Sequence, residues 1–111
     1  MRPIRVTVGS QAASAPIPMD VNQDPFNVSI GVTLSAGATL TYSVQHTFDD
    51  VFAKGFDAST ATWFTNAGLS AKTTSLDGNY TLPVTAIRLN ITAYTSGNAT
   101  MTVIQAGMPG R

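Results

Sequence analysis

The sequence predicts an all-β protein, a single-domain antiparallel β-sandwich or jelly roll of about seven or eight short strands. Apolar and polar residues alternate over several short stretches, which is the pattern of half-buried strands. Glu is absent and Lys is rare, while Thr, Ser, Val and Ile are abundant, and this composition favours strands over helices. Turn-forming residues separate the alternating stretches. The length of 111 residues fits one domain spanning residues 1–111.

The N-terminal region predicts a strand followed by an extended arm. Residues 3–8, PIRVTV, place three apolar side chains on one face and two polar ones on the other. Residues 9–25 are rich in small residues and contain three prolines, which exclude a regular central strand. A run of this length without regular structure is more often functional or disordered than accidental. We therefore expect an extended proline-containing arm or loop at about 9–25.

The middle of the chain predicts two strands and then a long loop. FNVSIGVTL at 26–34 and TLTYSVQH at 39–46 alternate clearly, and the short Gly-containing link between them predicts a hairpin. The alternation stops over residues 47–68, which hold four of the five Phe residues and the only Trp. These residues predict a long Phe-rich loop that ends in a short strand near 61–65.

The C-terminal region predicts further strands. Around Asp77-Gly78, residues 69–83 predict short strands joined by a turn, because this dipeptide is a strong turn signal. Residues 86–107, AIRLNITAYTSGNATMTVIQAG, alternate, pass through a Ser-Gly-Asn turn and alternate again. This pattern predicts a closing hairpin.

Composition and charge argue against several functional classes. The net charge is zero and no basic run occurs, so we expect no nucleic-acid partner. No stretch approaches the roughly 20 apolar residues needed to cross a bilayer, so we expect no membrane partner. The N-terminus lacks the apolar segment of a signal peptide, which predicts use without secretion. Cys is absent, which excludes disulfides and thiolate metal sites.

The low charge of the surface has two interpretations. Only 11% of the residues are charged, compared with about 25% in typical domains. A surface of hydroxyls and amides suits close, permanent contact with other protein. The alternative is a small β-domain that is simply neutral.

The only histidine lies near two aspartates. His46, Asp49 and Asp50 fall within five residues and suggest a metal or acid–base site. However, His46 is in phase with the apolar residues of its strand, and both aspartates begin a loop, where Asp favours turns. No second His, Glu or Cys completes a typical metal site, and no G-x-S-x-G nucleophile motif occurs. We therefore expect no enzymatic activity, no metal and no cofactor.

Two other features have competing interpretations. Four Asn-x-Ser/Thr sequences match the glycosylation pattern, but strands with Asn and Thr on one polar face produce them by alternation alone. The larger aromatic residues suit either a sugar-binding face or burial in the core or a protein interface. With a single Trp, core or protein interface is the favoured interpretation.

Two long stretches carry a family resemblance. These are PIPMDVNQDPFNVSIGVTLSAGATLTYSVQHTFDDVF and LPVTAIRLNITAYTSGNATMTVIQAG. Over roughly residues 16–107, the chain resembles the capsid decoration, or staple, proteins of short-tailed phage of the epsilon-fifteen type. The resemblance implies a β-sandwich or jelly roll on the outer surface of the capsid, assembled in the host cytoplasm. It also implies binding to the major capsid protein and bridging of neighbouring capsomers, often as a dimer. Similar phage proteins with this C-terminal stretch also include fibre and tail components, so the resemblance implies a virion protein more firmly than it implies a position on the capsid.

We therefore expect a non-enzymatic virion protein that stabilises a capsid, with the major capsid protein as its partner and a homodimer or other self-association on the shell. The expected contact regions are the N-terminal strand with the arm, and the Phe-rich loop. The candidate interface residues are Arg2, Ile4, Arg5, Pro16, Ile17, Pro18, Phe52, Phe56, Trp63 and Phe64.

The alternative is a carbohydrate-binding module of a head fibre or tail component that recognises host glycans. An exposed flat Trp63 or Tyr with polar groups nearby would favour sugar binding. An apolar patch accompanied by an extended arm would favour protein contact.

Overall fold

The computed structural model describes residues 4–19, 27–51, 53–57, 59–81 and 83–106 and shows a β-sandwich of two four-stranded antiparallel sheets. A short 3-10 helix spans Ala67–Leu69. The strands are β1 (Ile4–Val8), β2 (Ile17–Pro18), β3 (Asn27–Leu34), β4 (Thr39–Thr47), β5 (Trp63–Thr65), β6 (Leu76–Tyr80), β7 (Ala86–Ser96) and β8 (Ala99–Ala106). The predicted fold class is confirmed. The strands expected at 3–8, 26–34, 39–46 and near 61–65 correspond to β1, β3, β4 and β5, with positions 3 and 26 outside the described residues.

The strand order corresponds to one long antiparallel ribbon that has been rolled up. The first sheet has the order β1-β8-β3-β6 and the second has the order β2-β7-β4-β5. In the ribbon, β1 pairs with β8, β2 with β7, β3 with β6 and β4 with β5. Rolling the ribbon adds the pairs β3–β8 and β4–β7, which complete the two sheets. This is the connectivity of a jelly roll.

The inward-facing residues of both sheets form one hydrophobic core. They occupy alternate strand positions, as the periodicity predicts. The Tyr42 hydroxyl, buried in this core, donates a hydrogen bond to the carbonyl oxygen of Thr74 at 2.8 Å. The main core side chains are Val28, Ile30, Val32, Tyr42, Val44, Ile87, Leu89, Ile91, Met101 and Val103.

Neither predicted hairpin forms. β3 and β4 lie in different sheets, and so do β7 and β8, so each link carries the chain from one sheet to the other as an arch. A hairpin and an arch have the same local signature, alternation on both sides of a Gly-containing turn. What separates them is the pairing partner of each strand, which lies far away in sequence. The hairpin predictions are therefore wrong, although the strands themselves are placed correctly.

The two arches contact each other at one end of the sandwich. The Ser35 amide donates to the Asn98 carbonyl at 3.0 Å, and the Asn98 amide donates to the Ser35 hydroxyl at 3.0 Å. Gly97 has a φ of +86°, and a Cβ added there would lie 2.5 Å from the Cβ of Ala38. Gly97 is therefore required both by its backbone conformation and by the close approach of the arches.

The turn predicted at Asp77-Gly78 is also wrong, because both residues lie within β6. They pair with Gly31 and Ile30 of β3. A Cβ at Gly78 would lie 3.1 Å from Cδ1 of Leu69, a buried residue of the 3-10 helix. Glycine at this position therefore makes room for the helix against the strand instead of reversing the chain.

The described part of the predicted arm lies along β7 at the edge of the second sheet. The Ser14 amide donates to the Leu89 carbonyl at 2.7 Å, and the Ile91 amide donates to the Ala12 carbonyl at 3.0 Å. Met19 is buried. The segment is thus extended and docked on its own domain up to residue 19, and positions 20–25 lie outside the described residues.

Candidate functional site

The side of the sandwich formed by edge strands β5 and β6 carries a cluster of aromatic side chains. His46 projects inward from β4, and Tyr80 projects inward from β6 in the other sheet. His46 Nδ1 and the Tyr80 hydroxyl lie 2.8 Å apart and share a hydrogen bond between the two sheets. The rings meet edge to face, with centroids 5.0 Å apart. This pair links the sheets where the core reaches the surface.

Two phenylalanines cover this pair and extend the cluster into solvent. The register of β4 and β5 places Phe64 beside His46, and the two rings stack with centroids 5.9 Å apart. Phe48 follows His46 by two positions and packs against it edge to face at 5.5 Å. Phe48 and Phe64 are 5.6 Å apart and are 57% and 48% exposed. We call Phe48, Phe64, His46 and Tyr80 the aromatic patch.

The aromatic patch is uncharged at neutral pH. Burial lowers the pKa of His46 from its ordinary value of 6.5, so the imidazole is neutral at pH 7. Burial raises the pKa of Tyr80 to about 12, against an opposing hydrogen bond from the Asn66 side chain. The patch therefore offers apolar rings to a partner without the desolvation cost of a charge.

Trp63 lies next to Phe64 on β5, and its ring is half-buried. The guanidinium carbon of Arg88 lies 4.1 Å from the centroid of the Trp63 ring, and Arg88 Nε donates to Gln45 Oε1 at 2.8 Å. This cation–π contact covers one face of the indole. The most exposed aromatic rings of the patch are instead two phenylalanines, which carry no polar group.

The candidate interface residues fall into two regions on opposite edges of the sandwich. β1 and β2 form one edge of the two sheets, and β5 and β6 form the other. Ile4, Arg5 and Pro18 are exposed on the first edge, Pro16 is half-buried there, and Ile17 is only 3% exposed and belongs to the core. Phe56 is half-buried in the loop before β5, near Trp63 and Phe64 in sequence. Arg2 and Phe52 lie outside the described residues.

His46 and Asp49, which lie close together in the sequence, make separate interactions in the structure. His46 belongs to the aromatic patch, whereas Asp49 Oδ2 accepts a hydrogen bond from the Thr62 amide at 2.9 Å. Asp49 thereby ties the start of the Phe-rich loop to its end. Across the described ranges, no three His, Cys, Asp or Glu side chains come together in a group able to hold a metal ion. The same ranges contain no helix long and apolar enough to span a bilayer.

Phe48, His46 and Tyr80 are the patch residues missing from the candidate interface set. A signal for Phe48 was present, because it continues the alternation of β4 one step beyond His46. A scan against protein-family models, a search of curated proteins and a search of solved structures found no match.

Proposed function

We propose that this protein is a non-enzymatic phage structural protein that binds the capsid exterior and bridges neighbouring major capsid protein subunits. The observation that carries the proposal is the aromatic patch, where Phe48 and Phe64 contact each other and expose about half of their surfaces. Aromatic side chains, Phe among them, are enriched at the buried centres of protein interfaces. Burying the exposed half of both rings is worth about 1.5–3 kcal/mol, because together they expose about as much surface as one Phe and a fully buried Phe contributes about that much.

The position of the patch supports a bridging role. At the opposite edge of the sandwich, β1 exposes Ile4 and Arg5, and the extended arm lies beside it on β7. Two contact regions on opposite edges suit a protein that binds two neighbouring subunits at once. Each contact is then weak by itself, and the first raises the effective concentration of the second.

The low charge of the chain is compatible with many copies packed side by side on one shell. Only 11% of the residues are charged and the formal net charge is zero. Copies packed side by side on a shell therefore repel one another little. The same surface lacks the basic field that would attract nucleic acid.

The carbohydrate-binding alternative has weaker support from the aromatic side chains. Sugar sites combine a flat ring with polar groups that fix the hydroxyls. Phe48 and Phe64 provide no polar atom, and Arg88 covers one face of Trp63. Protein contact is therefore the better assignment for the aromatic patch.

The proposal is tested by co-sedimentation of the purified protein with heads of an epsilon-fifteen-type phage that lack their decoration protein. A Phe48→Ser, Phe64→Ser double variant should bind about 10–150-fold more weakly, because about 1.5–3 kcal/mol of apolar contact is lost. Leu76→Ser is the matched control, since Leu76 is 37% exposed on β6 and lies outside the patch. Circular dichroism verifies that each variant is folded.

Three outcomes would contradict the proposal: no binding of the wild type to heads, equal binding by the double variant, or an equal loss in the Leu76→Ser control. Binding of host polysaccharide without binding to heads would favour the carbohydrate alternative.

A further inference from the structure

The outer face of the second sheet carries a half-buried arginine, Arg88. Its neighbours on either side in β7 point into the core, so Arg88 projects from the outer face. The register sets it beside Gln45 of β4. Trp63 of β5 lies on the same face, because the next residue, Phe64, turns to the other side of the strand and joins the aromatic patch. Only the edge strand β5 therefore separates Arg88 and Trp63 from the aromatic patch.

The charge of Arg88 is not balanced by an acidic side chain in the described part of the chain. There, its side chain contacts Gln45 and the Trp63 ring, and it forms no ion pair with an aspartate. Burial lowers the pKa of Arg88 from its ordinary value of 12.5, yet the guanidinium stays charged at neutral pH. A half-buried cation without a counter-charge has lost part of its hydration, and a bound anion would offset that loss.

The two contacts of Arg88 leave one end of the guanidinium for a ligand. Nε donates to Gln45 Oε1 at 2.8 Å, and the Trp63 ring, with its centroid 4.1 Å from the guanidinium carbon, covers one face. The terminal nitrogens Nη1 and Nη2 make no hydrogen bond with the described residues. Together they form a fork that matches the two oxygens of a carboxylate.

Gln45 adds a further donor to this end of the guanidinium. Arginine can only donate hydrogen bonds, so the Gln45 atom facing Arg88 Nε must be the amide oxygen. The amide nitrogen of Gln45, Nε2, is therefore left as a donor beside the guanidinium. Every polar group offered here is a donor and one of them is cationic, which suits an anionic acceptor.

We propose that Arg88 and Gln45 bind a carboxylate, and that an acidic side chain of the major capsid protein supplies it. The choice of the capsid protein rests on the proposed function, because a partner that covers the aromatic patch also reaches Arg88 across β5. The aromatic patch provides apolar contact, and Arg88 adds a charge-assisted contact of fixed direction. The two together select a partner surface that places an Asp or Glu beside an apolar pocket.

Trp63 fluorescence tests the carboxylate site without heads, since Trp63 is the only tryptophan of the chain and touches Arg88. Sodium acetate, substituted for sodium chloride at constant ionic strength, should change the emission saturably, with half-saturation on the order of 10–100 mM. Arg88→Met should abolish the response. Lys72→Met, which removes the same charge from another half-buried position, should leave it unchanged. No saturable response in the wild type, or an equal response in Arg88→Met, would overturn the site.

Co-sedimentation with heads tests the source of the carboxylate. Arg88→Met should bind heads at least about tenfold more weakly, with a weaker dependence on salt concentration, while Lys72→Met should bind like the wild type. Arg88→Lys keeps the charge but loses the fork, so it should restore only part of the binding. Circular dichroism verifies the fold of each variant, and the acetate titration of the wild type decides the site even where a variant does not fold.

The outcomes separate this inference from the proposed function. Equal binding of heads by the wild type and Arg88→Met would overturn the assignment to the capsid protein while leaving the proposed function standing. A wild type that responds to acetate but binds no heads would contradict the proposed function and support the carboxylate site alone. Binding of polygalacturonate that requires Arg88, without an effect of Arg88→Met on heads, would overturn the capsid assignment in favour of an acidic glycan.

Discussion

Replacing Gly97 with alanine tests whether the two arches hold the sheets together by direct contact. The substitution places a Cβ on a residue with φ of +86°, which costs about 1–2 kcal/mol for an L-residue. The same Cβ would lie 2.5 Å from the Cβ of Ala38 and 2.8 Å from the Ser35 hydroxyl, so the neighbouring arch must move. Overpacking of this kind costs about 1–3 kcal/mol. The expected total is about 2–5 kcal/mol, out of a typical stability of about 5–15 kcal/mol.

Gly37→Ala is the matched control for this substitution. Gly37 lies in the arch between β3 and β4 and has a φ of +73°, but a Cβ added there would meet nothing within 4 Å. Gly37→Ala should therefore lower the free energy of unfolding only by the cost of the positive φ, about 1–2 kcal/mol. The difference between the two variants isolates the contact between the arches.

Urea denaturation followed by circular dichroism measures both free energies of unfolding. For a domain of this size, an additional loss of about 2 kcal/mol lowers the melting temperature by about 8–9 °C. If Gly97→Ala and Gly37→Ala are equally destabilised, the arches do not pack as described. A Gly97→Ala variant with wild-type stability would also refute the positive φ.

The remaining predictions concern pH and the core. Burial lowers the pKa of His46 in the folded protein below 6.5. The unfolded chain therefore binds a proton at His46 more readily than the folded protein does. The free energy of unfolding should fall as the pH drops from 6.5 through the folded-state pKa of His46. His46→Gln should flatten this part of the stability–pH profile, and an identical slope in the variant would contradict the assignment. Leu89→Ala, at a fully buried position, should lower the free energy of unfolding by about 2–5 kcal/mol, as measured by urea denaturation. Tyr42→Phe removes only the hydrogen bond to Thr74 and should lower it by about 0.5–1.5 kcal/mol. The reverse order would place Leu89 outside the core.

The positions of the strands could be predicted from the sequence, but their partners could not. Alternation is a local property, so β3 and β4 are visible as strands and their inward faces are identified correctly. Pairing is decided by residues far apart, such as Thr7 and Thr100, whose hydroxyls meet at 2.9 Å although they are 93 residues apart. The arches and the unbroken strand at 76–80 are not predicted, because Gly-containing turns and Asp-Gly sequences most often mark hairpin turns.

The aromatic patch could be predicted only in part. The sequence indicated that the Phe-rich region was unusual, and Phe64 was among the candidate interface residues. Its neighbours Phe48 and His46 flank the end of β4, but Tyr80 comes from the other sheet. Sequence spacing gives no sign that Tyr80 and His46 share a hydrogen bond, because the sandwich brings them together across its interior.

The central place of β8 in the first sheet sets an order for folding during synthesis. β8 is the most C-terminal strand of the described chain, yet it lies between β1 and β3. Until the ribosome has released this segment, β1 has no neighbour in its sheet, and β3 is joined only to β6. The second sheet can form earlier, since β2, β4, β5 and β7 all precede β8 in the chain. The first sheet therefore closes only after β8 has been synthesised, and any surface that depends on this sheet forms later than the second sheet.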